Sequence, residues 1–197
     1  MRKRDKSKNG QEKKVELSIN RGPIRLDEFD ATAIVGLRVI VHDAVIQRVE
    51  EDGEASVEVP KIPNLMATTA VIRCLKEVKL RGWEIRAMRK IMGMNLEDLA
   101  KKLGERTAVE TLSRWESEKQ PIGGYAEKVL RLLICEELRK AAPGVSYDAG
   151  MIANLTVIDP WILDPDYEVP YIQLGMIKVK ACSGGLIEAY DTQQEAA

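Results

Sequence analysis

Histidine is all but missing from this chain: His42 is the single one among 197 residues. Cysteine is scarce as well, with Cys74, Cys135 and Cys182 far apart and no C-x-x-C. Zinc sites draw on closely spaced Cys and His ligands. A zinc finger and a His-based metal site are therefore excluded, and a His-dependent triad survives only if built on His42. Dispersed thiols fit a reducing, cytoplasmic setting. Also missing is any apolar run near the roughly 20 residues that span a bilayer. Met1–Gly10 has no apolar stretch behind its charges, so a secretory signal is not expected. His42-Asp43 lies beside a strand-like run with no nucleophile at a recognisable spacing, which argues against an enzyme. Asp159, Asp164, Asp166 and Glu168 are interrupted by Pro160 and Pro165 and lack a calcium-loop pattern. They read as a solvated acidic rim, and neither a metal nor a cofactor is expected.

What the chain does have is charge, unevenly placed. Residues 1–14 hold seven Lys/Arg and two acids, and residues 15–78 seven basic and eleven acidic side chains. Residues 79–140 hold fourteen basic and ten acidic, and residues 145–197 two basic and eight acidic. A net charge of −1 thus conceals a basic start, a basic middle and an acidic end, which suit different partners.

The segments differ in pattern too. Residues 1–20 are polar and Lys-rich and cannot bury enough apolar surface to offset the entropy of ordering, so they read as a disordered basic arm. Within residues 21–63, Ile34, Val35, Leu37 and Val39–Val41 suggest strand, and Val45–Val49 and Ala55–Val59 flank Glu51-Asp52-Gly53, a hairpin signal. Pro60 and Pro63 close this small β domain. Residues 64–142 are helical in pattern: Asn64 is placed to cap a helix whose Leu65, Thr69, Ile72 and Leu75 share a face, and Gly93, Gly104 and Gly123-Gly124 break the helices that follow. Residues 145–197 form an acidic extension with strand-like runs at Leu155–Ile158, Tyr171–Leu174 and Ile177–Val179. These runs are too frequent for a disordered tail, so it is expected to fold at least through Val179. The fold class read from these patterns is α+β: a β-hairpin domain, a five-helix domain and a β-rich extension.

The informative stretch runs from Trp83 to Glu116. Ile85, Met88 and Ile91 face inward from a first helix, which Gly93 ends. Asn95 caps a second, with Asp98 in its first turn and Leu96, Leu99, Ala100 and Leu103 on its core face. Gly104 turns the chain into a third helix at about 108–118, where Leu112 and Trp115 face inward and Glu110, Thr111, Ser113 and Arg114 outward. The series R-x-x-R, G-x-N-x-x-x-L-A-x-x-L-G and T-L-S-R-W-E resembles the helix-turn-helix of the Cro/cI (XRE, lambda-repressor-like) family. With Gly36–Val39, Val57–Leu65 and Glu84–Lys90 added, the chain resembles the MqsA/YgiT-type antitoxin regulators across residues 34–137. In those proteins a small zinc-binding β domain precedes a dimerising helix-turn-helix. Here Glu50–Glu54 stand where that family carries cysteine ligands, so the resemblance implies a zinc-less hairpin.

That resemblance implies base reading from Glu110 and Arg114. A guanidinium at Arg114 suits guanine O6 and N7, and a carboxylate at Glu110 suits cytosine N4. Thr107, Thr111 and Ser113 are candidate phosphate or sugar ligands, and Lys101, Lys102, Arg106 and Lys119 candidate backbone contacts. The resemblance makes Arg89 and Glu116 a structural ion pair, while Trp115 reads as core. The expected function is a sequence-specific DNA-binding transcriptional regulator, a repressor. One helix-turn-helix reads few base pairs, so a homodimer on an inverted repeat is expected, joined along Tyr125, Val129, Leu132 and Leu133. The alternative is an antitoxin-like module that sequesters a partner protein through the N-terminal β domain or the C-terminal extension and regulates its own operon.

Overall fold

The computed structural model describes residues 22–50, 53–104, 107–180 and 185–192. The basic arm, Glu51, Asp52, Arg106 and Cys182 thus lie outside the described residues. The elements are β1 (Ile24–Asp30), α1 (Thr32–Val35), β2 (Val39–Val49), β3 (Ala55–Glu58) and α2 (Ile62–Cys74). Then come α3 (Gly82–Ile91), α4 (Leu96–Leu103), α5 (Val109–Glu116), α6 (Gly124–Leu138), α7 (Ala149–Ala153), β4 (Ile172–Lys180) and β5 (Leu186–Thr192). The chain is α+β, and none of the described helices is long and apolar enough to cross a membrane.

The two β regions, expected as separate units, make one five-stranded sheet. Its order is β1-β2-β4-β5, with β3 also on β2. Strands β2 and β4 are parallel, Val39 opposite Ile172 and Val41 opposite Leu174. A parallel pair needs a crossover, and here the entire helical region supplies it. Burial explains the union: Val39, Val41, Leu174 and Tyr190 are fully buried, and neither β segment could cover its own apolar face alone. The hairpin of β2 and β3 holds as expected, with Val49 opposite Ala55 and Gly53 at φ 87°, where a side chain would be strained.

Other local expectations gave way to packing. Ile34 and Val35 lie in α1, not a strand, and Gly36 ends that helix at φ 76°. The run Leu155–Ile158 forms only one bridge: the Ile158 N–H reaches Glu77 O at 2.8 Å, and Ile158 O accepts from the Lys79 N–H at 2.8 Å. Tyr171–Leu174 and Ile177–Val179 belong to a region occupied by the single strand β4. Asn64 does not cap α2. The helix starts after Lys61, and Asn64 Nδ2 donates to Ala141 O at 2.9 Å. Nor does α2 have one apolar face: Leu65, Ala67, Thr68, Ala70, Val71 and Cys74 are all buried. It packs against α3 and α6 and also against β4 and β5.

Two buried arginines fix the link from α2 to α3. Arg73 reaches Glu84 through Nε and Nη2, and donates to Val78 O and Lys79 O at 2.8 Å each. Arg131 pairs with Glu127 and donates to Cys74 O at 2.7 Å and Lys76 O at 2.6 Å. Glu127 Oε1 also accepts from the Leu80 N–H at 2.8 Å. Without these side chains the carbonyls of the link would be buried and unpaired.

Candidate nucleic-acid interface

Three short helices carry the site. In α3, Ile85 and Met88 are buried and Ile91 packs at the edge of the core. Gly93 turns the chain at φ 70°, where a β-carbon would be strained. Asn95 then caps α4: its Oδ1 accepts from the Asp98 N–H at 2.8 Å, and Asp98 Oδ2 accepts from the Asn95 N–H at 3.3 Å. Leu99 and Ala100 face the core, and Gly104, at φ 99°, leads into the turn where the Thr107 N–H meets Gly104 O at 3.0 Å. Helix α5 begins at Val109 without a side-chain cap, and buries Leu112 and Trp115.

Glu116 sets the angle between α3 and α5. It is 6% exposed and accepts from Arg89 Nε at 2.6 Å and Nη2 at 3.0 Å, with Arg86 Nε at 3.4 Å. Arg89 Nη1 also donates to Met94 O at 2.8 Å, tying the turn between α3 and α4 to the same anchor. The Glu116 carboxylate raises the Arg89 pKa above its ordinary value. Gly82 completes the junction. A β-carbon there would overlap the Trp115 carbonyl and stand 2.8 Å from that of Glu116, so only glycine lets the start of α3 meet the end of α5. The sequence reading had Arg89 and Glu116 but missed Arg86 and Gly82, whose roles depend on where α5 ends.

With α5 anchored, its outer face is set. Glu110, Ser113 and Arg114 are exposed and share a groove with Lys119, Leu96, Val109 and Ser117. Ser117 Oγ donates to Ser113 O at 2.7 Å, closing the end of the helix. No ion pair engages Glu110, Arg114 or Lys119 among the described residues, leaving a groove that carries two cations and one carboxylate. Such a surface can offer a guanidinium to a base edge and an ammonium to a phosphate. Thr107 sits apart, half-buried in a neighbouring hollow with Lys101 and Glu97, and Thr111 is half-buried on α5. Lys102 is not in the groove: its Nζ is 2.6 Å from Glu137 Oε1 on α6. Arg106 lies outside the described residues.

His42, the one histidine, is taken up in the sheet, its Nε2 2.6 Å from Gln173 Oε1. Among the described residues no three His, Cys, Asp or Glu side chains gather to hold a metal.

Residues 85–137 match a family model described as Helix-turn-helix, of the Cro/cI-like kind. The match spans α3 to the end of α6, about a quarter of the chain, and leaves the wider resemblance through residues 34–84 unsupported. Searches of curated proteins and of solved structures gave no match.

Proposed function

We propose that this chain, with its helix-turn-helix at residues 85–137, is a sequence-specific DNA-binding transcriptional regulator that represses by occupying its operator. The observation that carries the reading is the outer face of α5. Glu110, Ser113 and Arg114 are exposed on one groove beside Lys119, on a helix held by the Arg89–Glu116 pair. A reading helix needs such rigidity, because a displaced guanidinium loses its bidentate geometry on guanine. The reading requires no cofactor, no metal and no catalytic group, and places the protein in the cytoplasm.

It acts as a homodimer in this proposal. Tyr125 is 84% exposed near the start of α6, and Val129, Leu132 and Leu133 continue half-buried along that helix. Two copies joined there would present two α5 helices to half-sites one helical turn apart.

The test is recovery of genomic fragments bound by the full chain, then footprinting on the tightest. Two protected half-sites about one turn apart are expected, with binding that weakens by orders of magnitude between low and physiological salt if ~6 phosphates are contacted. Equal affinity for that fragment and for random duplex at every salt concentration would overturn the reading.

A further inference from the structure

DNA recognition leaves unused a cavity of about 410 Å³ where the helical region meets the sheet. Its apolar wall comes from Ile72 of α2, Val78 of the following link, and Val169, Pro170, Tyr171 and Ile172 on the approach to β4. Cavities of this size, mostly apolar and placed between structural units, are where small molecules bind.

The polar groups at its edge separate into committed and free. The Arg73 guanidinium is spent on Glu84 and on two carbonyls. Gln173 is bonded to His42 and Thr192 to Asp191; Arg38, outside the lining but 4.5 Å above the Tyr171 ring, is paired with Glu168 at 2.8 Å. Lys76 differs. It is exposed at the cavity mouth, and no hydrogen bond or ion pair engages its ammonium among the described residues. Among the described residues no Asp or Glu lines the cavity. An apolar chamber with one unpaired cation at the mouth is complementary to a molecule with an apolar body and one negative end.

We propose that this cavity is a binding site for a small apolar carboxylate, its hydrocarbon body against Ile72, Val78, Val169 and Ile172 and its carboxylate on Lys76. The site is linked to α3 through one buried arginine. Val78, one of its walls, is gripped through its carbonyl by both Arg73 and Arg131, and Arg73 holds Glu84 of α3. Occupancy would therefore bear on the placement of α3, a consequence that rests on the DNA-binding reading, whereas the binding itself does not.

The experiment uses the full chain without DNA and sodium octanoate as probe, with acetate and octylammonium chloride at matched concentrations. Octanoate should raise the melting temperature in a concentration-dependent way, since a ligand that binds only the folded state stabilises it by mass action. Acetate lacks the apolar body and octylammonium carries the opposite charge, so neither should do so. Lys76→Met keeps the stem and removes the charge; it should weaken octanoate about tenfold or more while leaving the fold intact. Val169→Phe should fill the chamber and abolish binding. Octylammonium stabilising as well as octanoate, or octanoate binding both variants as it binds the parent, would overturn the site. With the site established, unchanged affinity for the operator fragment in saturating octanoate would overturn only its bearing on α3.

Discussion

Arg114 and Lys119 share one groove but should fail in different ways. Arg114→Ala should cost about 1–3 kcal/mol at the preferred site and relax the preference at one base pair per half-site, because a base edge differs between sequences. Lys119→Ala should weaken specific and random DNA alike and lower the salt slope by about one unit, because a phosphate does not differ. Lys102, a phosphate candidate by sequence, is held by Glu137, so Lys102→Ala should change the salt slope less than Lys119→Ala. Competition binding over a salt series distinguishes the three. Tyr190 offers a pH test. Burial pushes its phenol up to about 12 from an ordinary 10. Between those values the unfolded chain has lost a proton that the folded one keeps, so this contribution is complete below about pH 10 and is lost as pH rises towards about 12. Tyr190→Phe should remove that part of the alkaline decline, at a cost of about 1 kcal/mol at neutral pH for the lost bond to Pro60 O. Denaturant unfolding at stepped alkaline pH would show both effects.

At the scale of elements, α3, α4 and α5 were readable residue by residue. Gly93, the Asn95–Asp98 cap and the inward Leu99, Ala100 and Leu112 act within a turn or two of chain, so no distant partner can overrule them. Asn95→Ala should therefore lower stability by about 1 kcal/mol, read by thermal unfolding, and leave the preferred DNA sequence as it was. The anchor between the elements is a larger matter. Glu116→Ala would strip the mostly buried Arg89 of its carboxylate, while the half-exposed Arg86 can turn to water, and should cost about 3 kcal/mol. Helix α2 was misread because periodicity assumes one wet face. An element packed on all sides has none, so Asn64 in a helical context looked like a cap and Leu65, Thr69, Ile72 and Leu75 like a stripe.

For the whole molecule, the acidic extension read by sequence as a β-rich unit separate from the β-hairpin domain. In the structure the two share one sheet. Strand β4 lies between β2 and β5, with Leu174 and Ile172 buried against the region around α2. Ending the chain after Gly144 would strip the sheet of β4 and β5 and expose Val39 and Val41. The truncated chain should unfold without cooperativity or aggregate, as circular dichroism and size-exclusion chromatography would show. Gly144→Ala is the milder probe. A β-carbon at Gly144 would overlap the Tyr190 carbonyl, so this one methyl should loosen β5 and lower the melting temperature.

The sequence by itself determined what short-range chemistry can determine: that the chain is α+β, where the helix-turn-helix lies, which of its residues turn inward, and that Glu110, Ser113 and Arg114 turn outward. Each of these follows from caps, glycines and apolar spacing inside a few residues. Only the tertiary structure decided that β2 and β4 pair across more than a hundred residues, that Arg73 and Arg131 are spent inside on the link to α3, and that Lys102 belongs to Glu137 rather than to the groove. It also set Lys76 at the mouth of an apolar chamber. Those outcomes turn on which surfaces exclude water together. A strand edge, a buried guanidinium or an unpaired ammonium takes its role from partners that the order of residues does not bring near it.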